Sequence, residues 1–181
     1  MSLESKRDRW HDAFLSLGSN LGDKARQLET ALQELELSGV RLEQASPLYV
    51  TEPVDFTEQD WFLNEVVKVS TQLNPLQLLE TCMTIEQRLG RKRTVSKGPR
   101  TLDIDILFYD DLVLATEILT LPHPQLHFRR FVLEPLSILA PNWGHPVLNA
   151  SISHLLEICQ DKSEVLPFER WASQLETSKE G

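Results

Sequence analysis

The chain has 181 residues, of which 41% are hydrophobic, 7 are glycine and 10 are proline, a composition that can build one continuous hydrophobic core. Its net charge of −9 at pH 7 argues against a general nucleic-acid or anionic-membrane binder, since such partners would be repelled. No apolar run approaches the roughly 18 residues that span a bilayer, and the first ten residues lack the apolar middle of a secretion signal, so we expect a soluble, cytoplasmic protein.

The first half of the chain predicts a strand, a helix and two further strands. Ala13 to Leu17 is an apolar run that ends at Gly18-Ser19-Asn20, a pattern typical of a buried strand entering a loop. Apolar residues at helical spacing then predict a helix from Asp23 to the stop at Ser38-Gly39. Val40 to Tyr49 and Glu65 to Thr71 have the alternation or the β-branched content of strands.

The second half predicts a helix, a strand and two further helices. Asn74-Pro75 supplies a cap and a first-turn proline for a helix that ends at Gly90. The strongest strand pattern follows Gly98-Pro99, and its apolar face comprises Leu102, Ile104, Ile106 and Phe108. Helices are expected over about Phe131 to Leu139 and near Ile152 to Ile158. This order predicts a ferredoxin-like α/β sandwich of the α+β class, with a mainly antiparallel sheet covered by helices.

The chain shows no repeat, low-complexity tract or linker that would divide it. We therefore expect one domain over residues 1–181, and a monomeric protein with a single function. Residues 1–10 and 160–181 are expected to be poorly ordered or loosely packed extensions. Cys82 and Cys159 lie far apart and have no partner at metal-ligand spacing, which predicts two buried, reduced thiols.

Two carboxylates stand two residues apart on the strongest strand. Asp103 and Asp105 therefore project from the same side of the sheet, about 7 Å apart. Magnesium prefers a few hard carboxylate oxygens together with waters and phosphate oxygens. The pair is either a magnesium site or two polar residues on a solvated sheet face.

A basic block precedes this pair. Residues 88–100 read RLGRKRTVSKGPR and hold six of the 18 Lys and Arg residues without any acid. By itself the block is equally consistent with a solvated loop. Beside two carboxylates it suits a magnesium-triphosphate complex, whose oxygens take bidentate bonds from arginine. Strict alternation from Asp103 puts Arg100 on the opposite face, so either the regular strand starts after Arg100 or its long side chain reaches round.

Three other segments bear on binding. Residues 18–24 open a helix after a strand but lack the spacing of a Walker loop, which indicates a tight turn.

Residues 51–54 and 61–64 bring rings, an amide and a hydroxyl together, as a flat heterocycle requires, although such aromatic residues also occur in cores. His123 lies between two prolines in an extended piece that presents it to an anion or substrate, and with His127 it completes no zinc motif.

Several segments together resemble one enzyme family in order and spacing. They are FLSLGSN, the loop through Phe62-Leu63-Asn64, GRKR, GPRTLDIDILFYD and LTLPHPQLHFRRFVLEPL, within roughly residues 12 to 143. The family is 6-hydroxymethyl-7,8-dihydropterin pyrophosphokinase. The resemblance implies a cytoplasmic ferredoxin-like enzyme of folate biosynthesis that uses ATP and two magnesium ions. It would transfer a diphosphate to the pterin alcohol and release AMP.

The same resemblance implies roles for individual residues. Asp103 and Asp105 would bind both magnesium ions, and with Arg91 and Arg100 they form the implied catalytic set. The residues implied to contact ATP are Glu86, Arg91, Arg93, Arg100, His123 and Arg129. The residues implied to contact the pterin are Thr51, Val54, Phe62, Asn64 and Phe131. The chain departs from the family at Ser96-Lys97, where a basic residue and often Trp are usual, which bears on how the mobile loop closes over ATP.

Two other functions fit the same residues. A metal-dependent nucleotidyl or glycosyl transferase also holds a nucleotide diphosphate with a D-x-D pair, and it needs no pterin pocket. A non-catalytic ferredoxin-like module would bind a nucleotide or a partner through the basic block. Substitution of Asp103 or Asp105 distinguishes an enzyme from a binding module, because the enzyme should lose turnover whereas the binding module should tolerate the change.

Overall fold

The computed structural model describes residues 9–54, 57–90 and 102–177. Within these ranges the strands are β1 (His11–Ser19), β2 (Val40–Ala45), β3 (Tyr49–Thr51), β4 (Phe62–Thr71), β5 (Asp103–Tyr109), β6 (Leu114–Ala115), β7 (Thr120–Leu121) and β8 (Val165–Pro167). The helices are α1 (Lys24–Leu37), α2 (Pro75–Arg88), α3 (Arg130–Leu139), α4 (Ile152–Ile158) and α5 (Phe168–Thr177), with a short 3-10 helix at Leu126–Phe128. No helix in these ranges combines the length and the apolar content needed to cross a bilayer.

Six strands form one antiparallel sheet. Its order is β5-β1-β4-β3-β8, and β2 also pairs with β4. β1 pairs with β4 over its whole length and with β5 on its other side, so the first and last strands of the βαββαβ core are neighbours. This connectivity and the helices packed on the sheet confirm the predicted ferredoxin-like α+β architecture.

The two faces of the sheet have separate hydrophobic clusters, because successive side chains of a strand point to opposite faces. On the first face Leu15 and Leu17 of β1 pack in one cluster with Leu28 of α1 and Leu78 of α2. On the second face Phe14 and Val66 pack with apolar residues of α3 and α4. Further along this second face, β1 carries Ser16 and Gly18 instead of apolar residues. The sheet therefore changes from core to a polar surface within one strand.

Side-chain caps fix where the helices begin. Asp23 accepts a hydrogen bond from the backbone N–H of Arg26 at the start of α1. Asn74 and Gln77 form a reciprocal capping box at the start of α2, where Pro75 is the first helical residue. The predicted helices are confirmed in type and, to within a few residues, in bounds.

The predicted strand over Val40 to Tyr49 is confirmed from Val40 to Ala45 and at Tyr49, but it is wrong for residues 46–48, where the chain leaves the ladder between β2 and β3. Pro47 has no N–H to donate to a ladder. Ser46 instead makes two bonds with Val66: its backbone N–H donates to the Val66 carbonyl (2.9 Å), and its hydroxyl accepts from the Val66 N–H (3.0 Å). β2 and β3 therefore pair with separate parts of β4.

A β-bulge makes the predicted apolar face of β5 wrong at Phe108. Phe14 pairs with Phe108, but the next residue, Leu15, pairs with Ile106, so Leu107 is an extra residue. One extra residue reverses the alternation beyond it. Phe108 consequently packs in the second-face cluster, whereas Ile106 belongs to the first.

Residues 161–177, the described part of the chain after residue 160, are not the loosely packed extension that the sequence suggested. β8 pairs with β3 at the edge of the sheet. Phe168 and Trp171 of α5 stack 6.0 Å apart and pack against the first-face cluster. Cys82 and Cys159 are buried and unbridged, as predicted.

Candidate active site

A pocket, here called the main pocket, opens on the second face beside the C-terminal end of β1. It is lined by Ser16, Gly18, Thr51, Glu52, Pro53, Val54, Gln59, Phe62, Asn64, Asp103, Asp105, Arg129 and Phe131. These residues include the predicted metal pair, Arg129 and all five residues predicted to contact a pterin. Segments that are far apart in the sequence thus converge on one cavity.

The register of β1 with its two neighbours, β4 and β5, explains the convergence. Gly18 of β1 lies opposite Asn64 of β4 on one side and opposite Asp103 of β5 on the other. Ser16 lies opposite Asp105 in the same way. Directly paired residues of neighbouring strands project to the same face. The polar residues therefore form two short rows across the sheet, beyond the apolar residues that α3 and α4 cover.

Glycine at position 18 allows the Asn64 side chain to lie across β1. A Cβ atom at Gly18 would clash with the Asn64 Oδ1 atom. The Asn64 Nδ2 group donates to the Thr51 hydroxyl at 2.5 Å, and the Asn64 side chain is buried. This bond fixes the plane of the amide, which keeps a second N–H and its oxygen for a ligand.

The two aspartates lie on one wall of the main pocket and are partly buried. Glu86 of α2 is 4% exposed, and its Oε1 atom accepts a hydrogen bond at 2.8 Å from the backbone N–H of Ile104, the residue between them. Glu86 therefore anchors the start of β5 and does not line the main pocket. Its predicted contact with ATP stays a prediction.

The donor chemistry of the aspartate pair fits magnesium. Two carboxylates from alternate residues of one strand offer hard oxygen ligands to the same cavity. Among the described residues, no group of three or more His, Cys, Asp and Glu side chains could hold a metal ion. A cation held by Asp103 and Asp105 would need oxygens of a ligand or of water to complete its coordination, which is how magnesium binds with nucleotide phosphates.

The start of α3 supplies a cation and an aromatic ring to the opposite wall. Arg129 precedes the helix and Phe131 is its second residue. The Arg129 guanidinium carbon lies 5.8 Å from the centre of the Phe131 ring. The two side chains therefore offer a positive charge beside an aromatic face within the same cavity.

His123 lies in a second cavity, the side pocket, which shares Asp105 with the main pocket. Burial, aided by the charge of Arg129 and opposed by that of Asp103, lowers the pKa of His123 to about 4. The Nδ1 atom accepts a hydrogen bond from the backbone N–H of Gln125 at 3.1 Å. The neutral ring therefore carries its proton on Nε2, and this N–H can donate a hydrogen bond to an anion.

The predicted Arg91, Arg93 and Arg100 lie outside the described residues, as does Ser96-Lys97. Five residues that line the main pocket were assigned no binding role from the sequence, namely Ser16, Gly18, Glu52, Pro53 and Gln59. Ser16 has a signal that could have found it, since it shares a strand face with Gly18. Gln59 has none, because it lies in a loop and accepts a hydrogen bond from Asn20 at 2.9 Å, across 39 residues of sequence.

Comparison with known proteins gives a consistent result. A family model described as 7,8-dihydro-6-hydroxymethylpterin-pyrophosphokinase matches residues 14–141. The chain is 47% identical over 131 residues to the 2-amino-4-hydroxy-6-hydroxymethyldihydropteridine pyrophosphokinase of Methylorubrum extorquens. The aligned region covers 72% of this chain and 83% of that protein. It is 46% identical over 146 residues to the folic acid synthesis protein fol1 of Schizosaccharomyces pombe, which covers 80% of this chain.

The solved structures share the fold. Wild-type HPPK-DHPS of Plasmodium falciparum with pterin and p-hydroxybenzoate matches with a TM-score of 0.67 at 22% identity, over 82% of this chain and 43% of that chain. The present chain thus spans less than half of that protein. It spans about a fifth of the length of fol1, of which 20% is covered.

Proposed function

Because the chain belongs to the 7,8-dihydro-6-hydroxymethylpterin-pyrophosphokinase family, we propose that it transfers a diphosphate from ATP to 6-hydroxymethyl-7,8-dihydropterin. The products would be AMP and the pterin diphosphate, in folate biosynthesis. The observation that carries this proposal is one cavity that combines two aromatic rings, a buried amide and a carboxylate pair.

The pterin would bind between the Phe62 and Phe131 walls of the main pocket. A flat heterocycle stacks favourably on aromatic rings, and its edge needs both donors and acceptors. The Asn64 amide offers both, in an orientation fixed by Thr51. Val54 also lines the cavity and adds apolar surface for the ring.

The triphosphate would lie beside the carboxylate pair. Asp103 and Asp105 would hold magnesium, for which two ions are proposed, and the metal when bound would supply positive charge to the phosphate oxygens. Arg129 would neutralise a non-bridging oxygen from the opposite wall. The His123 Nε2–H would donate to the nucleotide from the side pocket. The residues thus orient the pterin hydroxyl toward the β-phosphorus and stabilise the charge that moves during transfer.

The sequence-based roles of Arg91, Arg93 and Arg100 in holding ATP, and of Glu86 near the ligands, remain part of this proposal. So do a monomeric state and a cytoplasmic location. The roles of these four residues rest on the family resemblance, whereas the monomeric state was expected from the sequence itself.

The test is to incubate the purified protein with ATP, magnesium and 6-hydroxymethyl-7,8-dihydropterin and to identify the nucleotide product. We expect AMP, together with the pterin diphosphate, and no AMP when the pterin is omitted. Formation of ADP, or AMP that does not depend on the pterin, would contradict the proposal and favour another metal-dependent transferase.

Phe131→Ala is expected to raise the KM for the pterin by roughly 10- to 100-fold, because one wall of the stacking site is lost. The KM for ATP should change much less. Phe128→Ala is a matched control, since Phe128 lies three residues earlier and its side chain is 59% exposed outside the main pocket. Steady-state kinetics with each substrate varied in turn would measure both constants. Equal effects of the two substitutions would refute the stacking role.

A further inference from the structure

The segment of residues 161–167, here called the brace segment, contacts both walls of the main pocket. It lies after residue 141, where the match to the family model ends. One wall contains Phe131 of α3 and Arg129, the residue before this helix. The other contains Thr51, the last residue of β3, and Glu52, which follows it. The contacts on the two walls are only three residues apart in the brace segment.

Asp161 holds the α3 wall. Its Oδ2 atom accepts a hydrogen bond at 2.9 Å from the backbone N–H of Arg130, the residue between Arg129 and Phe131. The first N–H groups of a helix need acceptors, and the Arg129 side chain provides no cap. The Asp161 Oδ1 atom accepts from the N–H (2.9 Å) and the hydroxyl (2.5 Å) of Ser163, so the carboxylate itself is fixed.

Glu164 holds the β3 wall through its backbone. Its carbonyl accepts a hydrogen bond from the Glu52 N–H at 3.0 Å, and its N–H donates to the Glu52 Oε2 atom at 3.0 Å. The next residue, Val165, pairs directly with Thr51 in the sheet. Thr51 in turn accepts the bond from the Asn64 amide. The brace segment is thus connected to the buried polar group of the cavity.

We propose that the brace segment sets the separation between Phe131 and the Thr51–Glu52 wall. Because Thr51 pairs with Phe62 in the sheet, this separation also sets the width of the slot between the Phe62 and Phe131 rings, and hence its fit to a ligand. That the ligand is a pterin rests on the function proposed above. Asp161 acts through the α3 backbone and is a positioning residue. A slot for a flat ring depends steeply on wall separation, since stacking contacts weaken within about 1 Å.

Asp161→Ala is expected to raise the KM for the pterin about 10-fold, which corresponds to the lower range for hydrogen bonds to a charged group. The KM for ATP should rise less than the KM for the pterin, because the long Arg129 side chain on the same wall can adjust to a shift of the backbone, whereas the rigid Phe131 ring cannot. Asp161→Asn retains one acceptor oxygen for the Arg130 N–H but loses the one that accepts from Ser163, so it should recover only part of the affinity. Glu157→Ala is the control, because it also removes a carboxylate but from the exposed surface of α4.

Hydrogen–deuterium exchange of the ligand-free protein provides a readout that a general loss of stability would not reproduce. Asp161→Ala should speed exchange of the Glu52 amide, which Asp161 does not contact, while amides at the centre of β1 keep their protection. An unchanged pterin KM in Asp161→Ala with an active wild type, or unchanged exchange at Glu52, would overturn the proposal. Absence of AMP from the wild type would instead refute the proposed function, and the exchange data would still decide the role of the brace segment.

Discussion

Asp103→Ala and Asp105→Ala are each expected to lower the rate of AMP formation by roughly 10³-fold, the range found when a group that stabilises transition-state charge is removed. Both carboxylates line the cavity from alternate positions of β5. Neither can replace the other, because each would supply separate oxygens to the cation. Added magnesium should rescue the variants only partly. AMP release measured at saturating ATP and pterin would give the loss in kcat.

Asp111→Ala is the matched control for these variants. Asp111 is exposed, is the second residue after the end of β5 and lies outside the main pocket. It should retain wild-type turnover, and all three variants should unfold at similar temperatures. Loss of turnover in Asp111→Ala, or full turnover in Asp103→Ala, would mean that the pair does not hold the catalytic cation.

Local patterns predicted the framework of the site. The Asn74 cap, the first-turn Pro75 and the period-two alternation of β5 depend on neighbours a few residues away, so they can be predicted from the sequence. The alternation placed Asp103 and Asp105 on one face, as observed. The residues proposed to contact the pterin were assigned that role only through the family resemblance, because rings such as Phe62 and Phe131 also occur in cores.

The features that sequence reasoning missed depend on contacts between distant parts of the chain. The bulge at Leu107 is defined by the pairing of β5 with β1 and has no signal within β5 itself. The pairing of β8 with β3 joins residues more than 110 positions apart. The strand and helix near the C-terminal end are short or polar, so their stability comes from the sheet edge and from Phe168 and Trp171.

Glu65→Gln is expected to make the protein more stable at pH 8 but not near pH 4. Glu65 lies on β4 between Leu63 and Val67 of the first-face cluster and is 5% exposed. Burial raises the pKa of its carboxyl group from 4.5 to about 7 in the folded protein. The folded state therefore binds a proton more tightly than the unfolded state, and this contribution to stability is lost as the pH rises from about 4.5 through about 7.

Above pH 7 the wild type must bury a charged carboxylate, whereas the glutamine variant buries a neutral amide of similar size. The rise of the Glu65 pKa from 4.5 in the unfolded state to about 7 in the folded state corresponds to a loss of folding stability on the order of 3 kcal/mol at pH 8. This value is an upper limit, because the fold can relax around the charge. Urea unfolding of both proteins at pH 5 and pH 8 would measure it, with Glu36→Gln on the exposed side of α1 as the control. If the stability gain of Glu65→Gln over wild type were the same at both pH values, Glu65 would not be the buried neutral acid that its position on β4 indicates.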